Sequence, residues 1–238
     1  IPVLSLISFL DPKHEPAERG KTMMVAEYSK RTLGFLVHEV DRIIRVDWEK
    51  VRAPESVLSS NHGLISAITE LENGTLVSLL DVEQILANAF GEALIVDITP
   101  AQTSEDTGVF FVDDSVVARR KITEVLDKLG VKHKHATNGV EAWSRLQGLA
   151  AHAQQTGASL RDDVRFILVD AEMPEMDGYV LTKHIKADSR FDGIPVVMHS
   201  SLSSEANRAM GQAVGVEAYV AKFDAEVLAD TLRPLLER

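Results

Sequence analysis

Four apolar runs in the second half of the chain each end on a polar side chain. Val109-Phe110-Phe111-Val112 meets Asp113-Asp114, Phe166-Ile167-Leu168-Val169 meets Asp170, Val196-Val197-Met198-His199 meets Ser200-Ser201, and Ala218-Tyr219-Val220-Ala221 meets Lys222. If these runs are strands of one parallel sheet, their carboxyl ends open on a common crevice. Three carboxylates, a hydroxyl and an ammonium would then share it. Crowded carboxylates repel one another, and a divalent cation relieves the repulsion. A few protein oxygens completed by water and phosphate is the habit of Mg2+. A lone lysine beside them offers a point charge for a phosphoryl oxygen. The chemistry that uses all of these groups is phosphoryl transfer to or from a carboxylate nucleophile.

Each residue also has a plainer reading. Asp114 or Ser115 could cap the following helix, and Lys222 could be an ordinary solvated charge. Met173 and Met176 could be packing residues, with Pro174 and Gly178 as punctuation. Four polar strand ends at once are harder to explain that way than any one of them.

The elements that must position these groups alternate regularly after residue 107. Strand patterns cover 109–112, 131–136, 166–169, 196–199 and 218–221. Helical patterns cover 115–129, 140–155, 178–186, 205–214 and 225–236, the first of them closed by Gly130. Continuous apolar strands alternating with amphipathic helices predict a parallel sheet covered on both faces. The first half reads differently. Apolar runs at 21–28 and 31–40 flank a turn at Ser29-Lys30-Arg31, 41–46 alternates partly, and 48–54 reads as loop. Strands at 63–70 and 75–80 flank Glu72-Asn73-Gly74, a hairpin signal, and Asp81 is placed to cap a helix over 81–86. Closely spaced strands predict a small barrel or sandwich. Between the halves, 97–107 is short, polar and aromatic-free, which is linker composition.

Composition narrows the function classes. The 238 residues are 45% hydrophobic and 26% charged, which is globular. With 25 Lys+Arg against 36 Asp+Glu, the formal net charge is −11 and both halves are acidic, which argues against nucleic acid as partner. No cysteine is present, so thiol catalysis and Cys-based metal sites are excluded. No apolar run approaches the roughly 20 residues that span a bilayer. The start, Ile1-Pro2-Val3-Leu4-Ser5-Leu6-Ile7, reads as a buried strand entered mid-domain, so a preceding piece is expected. Trp48 and Phe35 are expected in the core. His133 and His135, two apart on one strand face, have no third ligand nearby and read as solvated surface. His199 reads as an ordinary strand position.

The wording of the second half resembles the response-regulator receiver domain over about 108–238. The carriers are Val112-Asp113-Asp114-Ser115, Leu168 to Gly178 with its D-x-x-M-P-x-M-D-G stretch from Asp170, Ile194 to Ser201, and Ala218 to Lys222. The resemblance implies that Asp170 is the phosphoacceptor. It implies that Asp113, Asp114, Asp170 and the main-chain carbonyl of Glu172 hold Mg2+. Ser200 would hydrogen-bond the phosphoryl group, Lys222 would pair with it, and Tyr219 would change rotamer on activation. Receivers usually follow that lysine with a proline in a cis bond. Here Phe223 follows, and since a cis bond before a non-proline costs about 2.5–4 kcal/mol, the Lys222–Phe223 bond is expected to be trans.

Residues 1–96 resemble a CheW-like domain that lacks its beginning, a fold of two small β-barrels. Its carriers are Met23 to Tyr28, Gly34 to Val40, Ile43 to Trp48, Gly63 to Thr69 and Leu79 to Leu86. The expected architecture is therefore multidomain: an all-β CheW-like double barrel at 1–96, a linker at 97–107, and a (βα)5 doubly wound receiver at 108–238. This is the layout of CheV-type coupling proteins. It implies an adaptor between chemoreceptor cytoplasmic signalling domains and a CheA-type histidine kinase, which is the phosphoryl donor. It implies a phosphoacceptor and scaffold rather than an enzyme, and a cytoplasmic location at membrane receptor arrays without membrane insertion. The rival readings are the C-terminal part of a CheA–receiver hybrid kinase, and an aspartyl-phosphate phosphatase. The phosphatase needs D-x-D at the first strand, which Asp113-Asp114-Ser115 does not supply.

Overall fold

The computed structural model describes residues 1–10, 20–28, 31–47, 50–52, 64–90, 98–104, 107–201, 204–222 and 224–237. The chain divides into two compact units, Ile1–Glu92 and Ala93–Arg238.

The first unit holds two three-stranded sheets. One is ordered β1-β3-β2, from β1 (Val3–Ser5), β2 (Thr22–Tyr28) and β3 (Arg31–Val37), with α1 (Leu6–Leu10) after β1. The other is ordered β4-β5-β6, from β4 (Val51–Arg52), β5 (Ile65–Glu70) and β6 (Leu76–Leu80), followed by α2 (Val82–Phe90). β5 and β6 pair antiparallel across the Asn-Gly turn, where Gly74 takes a left-handed φ of 80°. Asp81 caps α2 as expected, its Oδ1 accepting from the Gln84 N–H at 2.9 Å. Phe35 is buried, while Trp48 lies outside the described residues.

Three expectations for this unit need correction. The opening segment is not a buried strand: only Val3–Ser5 are extended, Leu6 and Ile7 are helical, and Ile1 and Val3 are exposed. β1 pairs only with β3 at the edge of its sheet, and an edge strand keeps one side open. Residues 41–46 pair with no strand among the described residues, and Ile43 is 97% exposed. Alternation without a partner strand does not bury its apolar side. Residues 51 and 52, read as loop, form β4 against Ile68 and Thr69.

The second unit is the alternating fold. Its strands are β7 (Gly108–Val112), β8 (Lys132–Ala136), β9 (Ile167–Asp170), β10 (Val196–Ser200) and β11 (Ala218–Ala221). All pair parallel in the order β11-β10-β9-β7-β8, a doubly wound sheet. The helices are α3 (Val116–Leu129), α4 (Gly139–Thr156), α5 (Leu160–Asp163), α6 (Gly178–Ala187), α7 (Glu205–Val214) and α8 (Ala225–Leu236). The period-2 alternation of the strands splits the interior into two cores. Phe110, Val112, Ile167, Val169 and Val196 pack with Leu146, Leu181 and Ile185 under α4 and α6. Val109, Phe111, Leu168 and Val197 pack with Leu126, Leu129 and Leu232 under α3 and α8.

Residues 98–104, linker by composition, run along this second unit. Arg233 of α8 donates to the carbonyls of Thr99 (2.7 Å) and Pro100 (3.1 Å), and the Ala101 N–H donates to the Leu129 carbonyl. Ile98 and Ala101 pack on the α3–α8 core.

Candidate functional site

Four strand ends deliver the polar groups to one place, because parallel strands carry their carboxyl ends to the same edge of the sheet. Asp113 follows β7, Asp170 closes β9, Ser200 closes β10, and Lys222 follows β11. Lys222 Nζ lies 2.9 Å from Asp170 Oδ2 and 3.0 Å from Asp113 Oδ2, and all three side chains are almost fully buried. Oxygens of Asp113, Asp114 and Asp170 gather within 4.8 Å of one another. This donor set is all hard carboxylate oxygen, which fits a small divalent cation such as Mg2+ and not a soft metal.

Local backbone chemistry holds the groups in place. Ser115, rather than Asp114, caps α3, its Oγ accepting from the Ala118 N–H. Asp113 Oδ1 accepts from the Ser115 N–H at 2.9 Å. Arg119, one turn into α3, donates to the carbonyls of both Asp113 and Asp114 at 2.8 Å. After β9 the chain turns back into α6, capped by Asp177. Gly178 donates to the Ala171 carbonyl, and a Cβ at Gly178 would overlap the Asp170 carbonyl. Only glycine lets the helix start this close to the strand end. Within the same turn, Glu175 adopts a left-handed φ of 69°. Met173 is fully buried and Met176 packs against the same core.

The structure therefore brings together Asp113, Asp114, Asp170, Ser200 and Lys222. Glu172, singled out for its carbonyl, also contributes its side chain: the Ser200 hydroxyl donates to Oε1 at 2.9 Å and reaches Oε2 at 3.2 Å. Tyr219 lies half-buried on β11 with the Arg208 guanidinium 5.5 Å over its ring. Tyr179 hydrogen-bonds Tyr219, and burial followed by that bond pushes the Tyr179 hydroxyl well above the ordinary tyrosine value. Three participants lay beyond sequence reasoning: Arg119, the Glu172 carboxylate and Tyr179. Nothing in their spacing marks them, since each reaches its partner across a turn or between strands. The Lys222–Phe223 bond falls outside the described residues.

The histidines sort differently. His199 is buried on β10, and burial, with the Lys222 charge behind it, holds its imidazole well below the usual value and hence neutral. Among the described residues, neither ring nitrogen finds a hydrogen-bond partner. His133 is less solvated than expected: it lies 3.0 Å from Asp127 and its ring is 5.8 Å from Phe111. His135, exposed as expected, stacks on the same ring at 5.2 Å. Neither joins a metal-ligand cluster among the described residues.

Comparison with known proteins identifies both domains. The model of the CheW-like domain covers residues 1–90, and that of the response regulator receiver domain covers 109–233. Chemotaxis protein CheV3 of Helicobacter pylori is 33% identical over 231 residues, 93% of this chain and 71% of that protein. Chemotaxis protein CheV2 of the same organism is 26% identical over 218 residues, 90% of this chain and 67% of that protein. The solved structure of the chemotaxis protein CheY4 of Vibrio cholerae aligns with 28% identity and a TM-score of 0.44, covering 55% of this chain and 98% of that one. No described helix is long and apolar enough to cross a membrane. Matching CheV proteins across both of its domains, the chain belongs to the CheV family of chemotaxis proteins, a CheW-like domain followed by a response-regulator receiver.

Proposed function

We propose that this chain is a chemotaxis coupling adaptor whose receiver accepts a phosphoryl group on Asp170. Residues 1–96 serve as the coupling module toward chemoreceptor signalling domains and a CheA-type histidine kinase, and 108–238 as the receiver, joined through 97–107. The observation that carries the reading is the buried triad of Asp113, Asp170 and Lys222, with Asp114 beside it. Buried carboxylates in this number, with one ammonium among them, are costly as structure and useful as a phosphoryl site.

In the transfer, the N–P bond of the kinase's phosphohistidine breaks as an Asp170 Oδ–P bond forms, and the freed imidazole leaves with the kinase. Asp113, Asp114, Asp170 and the Glu172 carbonyl would hold Mg2+, which when bound neutralises charge on the phosphoryl oxygens. Lys222, already on Asp170 Oδ2, would supply a further positive charge to the phosphoryl group. Ser200 offers its hydroxyl to a phosphoryl oxygen, and Tyr219 follows the movement of the β10 end. The modified receiver then alters how the coupling module supports kinase output. Location at membrane receptor arrays follows from that partnership. The test is Mg2+-dependent transfer of label from a phosphorylated CheA-type kinase. Asp170→Asn should abolish it, and undiminished labelling would overturn the assignment.

A further inference from the structure

The hydroxyl of Ser200 has one proton to donate, and here it is directed at Glu172. Ser200 is fully buried at the end of β10, with Glu172 Oε1 at 2.9 Å and Oε2 at 3.2 Å. Glu172 is half-buried, two residues beyond Asp170, and its backbone N–H faces Asp170 Oδ1 at 3.4 Å. Its backbone thus contacts the acceptor residue while its carboxylate holds the hydroxyl that would serve the acceptor's phosphoryl group.

We infer that the Glu172 side chain is a positioning residue that holds the Ser200 hydroxyl in the unphosphorylated protein, and so sets how readily the phosphorylated form is reached. The inference rests on Asp170 being the phosphoacceptor and names the regulation of that site. A serine hydroxyl carries a single O–H donor. A carboxylate holds that donor with a charge-assisted bond, stronger than a neutral acceptor makes. A phosphoryl group on Asp170 asks for the same proton and brings negative charge up to the Glu172 carboxylate, so the two compete for Ser200 and repel each other. When phosphorylation wins, Glu172 is half-exposed and water replaces Ser200 as its partner. Tyr179, at the start of α6, also hydrogen-bonds Tyr219 of β11.

The test is binding of beryllofluoride with Mg2+ to the 238-residue chain, followed by 19F NMR. Glu172→Ala removes the competing acceptor and should tighten binding roughly 10- to 150-fold, the worth of one hydrogen bond to a charged group. Glu172→Gln keeps a neutral acceptor and should fall between. The discriminating step is the same pair of substitutions in a Ser200→Ala background, where the gain should shrink to about twofold or less, because coupled residues are non-additive. An equal gain in both backgrounds means that the carboxylate acts by charge alone and overturns the inference, as does no gain at all. Wild-type chain that shows no Mg2+-dependent binding overturns the phosphoacceptor reading and the inference with it.

Discussion

The ammonium of Lys222 lies 2.9 Å from Oδ2 of Asp170, a contact between residues 52 apart in the chain, both almost fully buried. The same nitrogen reaches Asp113 Oδ2 at 3.0 Å, so one cation holds two buried carboxylates side by side. Lys222 is a counter-charge that reaches both.

Lys222→Met should therefore expose a mutual repulsion. Removing one partner of a buried ion pair costs about 3–5 kcal/mol. Urea unfolding in EDTA should show a loss of that order. Millimolar Mg2+ should recover much of it, because an ion that binds only the folded state stabilises by mass action. The wild-type chain should gain less from Mg2+, since its lysine already neutralises the pair. An identical loss with and without Mg2+ would show that Lys222 acts through packing alone.

His199 predicts an acid-labile receiver. Burial holds its folded value well below the ordinary 6.5, so the unfolded chain takes up a proton there first. Stability from this residue is complete above pH 6.5 and declines as pH falls toward the folded value, at about 1.4 kcal/mol per pH unit. His199→Leu removes the titrating group and should flatten the stability curve between pH 6.5 and 5. Equal slopes for both proteins would refute the role of His199.

Gly178 and Gly148 make a paired test of close approach. Both lie in helices, and helix propensity alone favours alanine over glycine by about 1 kcal/mol. At Gly148 a Cβ meets nothing within 4 Å, so Gly148→Ala should stabilise by up to that amount. At Gly178 the Cβ would overlap the Asp170 carbonyl and crowd Val169, so Gly178→Ala should destabilise by about 1–3 kcal/mol and slow phosphoryl labelling. Denaturant midpoints and labelling rates of the two variants separate the effects.

Legibility tracked the kind of interaction. The five strands and five main helices of the receiver are readable because short apolar runs alternate with longer amphipathic stretches, and caps such as Ser115, Asp177 and Gly130 are local. The hairpin around Asn73-Gly74 was readable for the same reason. The partial alternation over 41–46 gives no strand among the described residues, because strand formation needs a partner that alternation alone cannot specify. Residues 98–104 look like linker, yet Arg233, more than 130 residues later, takes two of their carbonyls.

By itself the sequence determined the family, the two-domain order and the residues at the strand ends, because a parallel alternating fold sends every strand's carboxyl end to one edge. Tertiary structure decided which of those groups touch. It gave Lys222 to both Asp113 and Asp170, turned the Ser200 proton toward Glu172, and left His199 buried and neutral. Hydrogen-bond geometry across strands, and the desolvation that comes with it, exist only once the sheet has closed, so no spacing along the chain could have specified them.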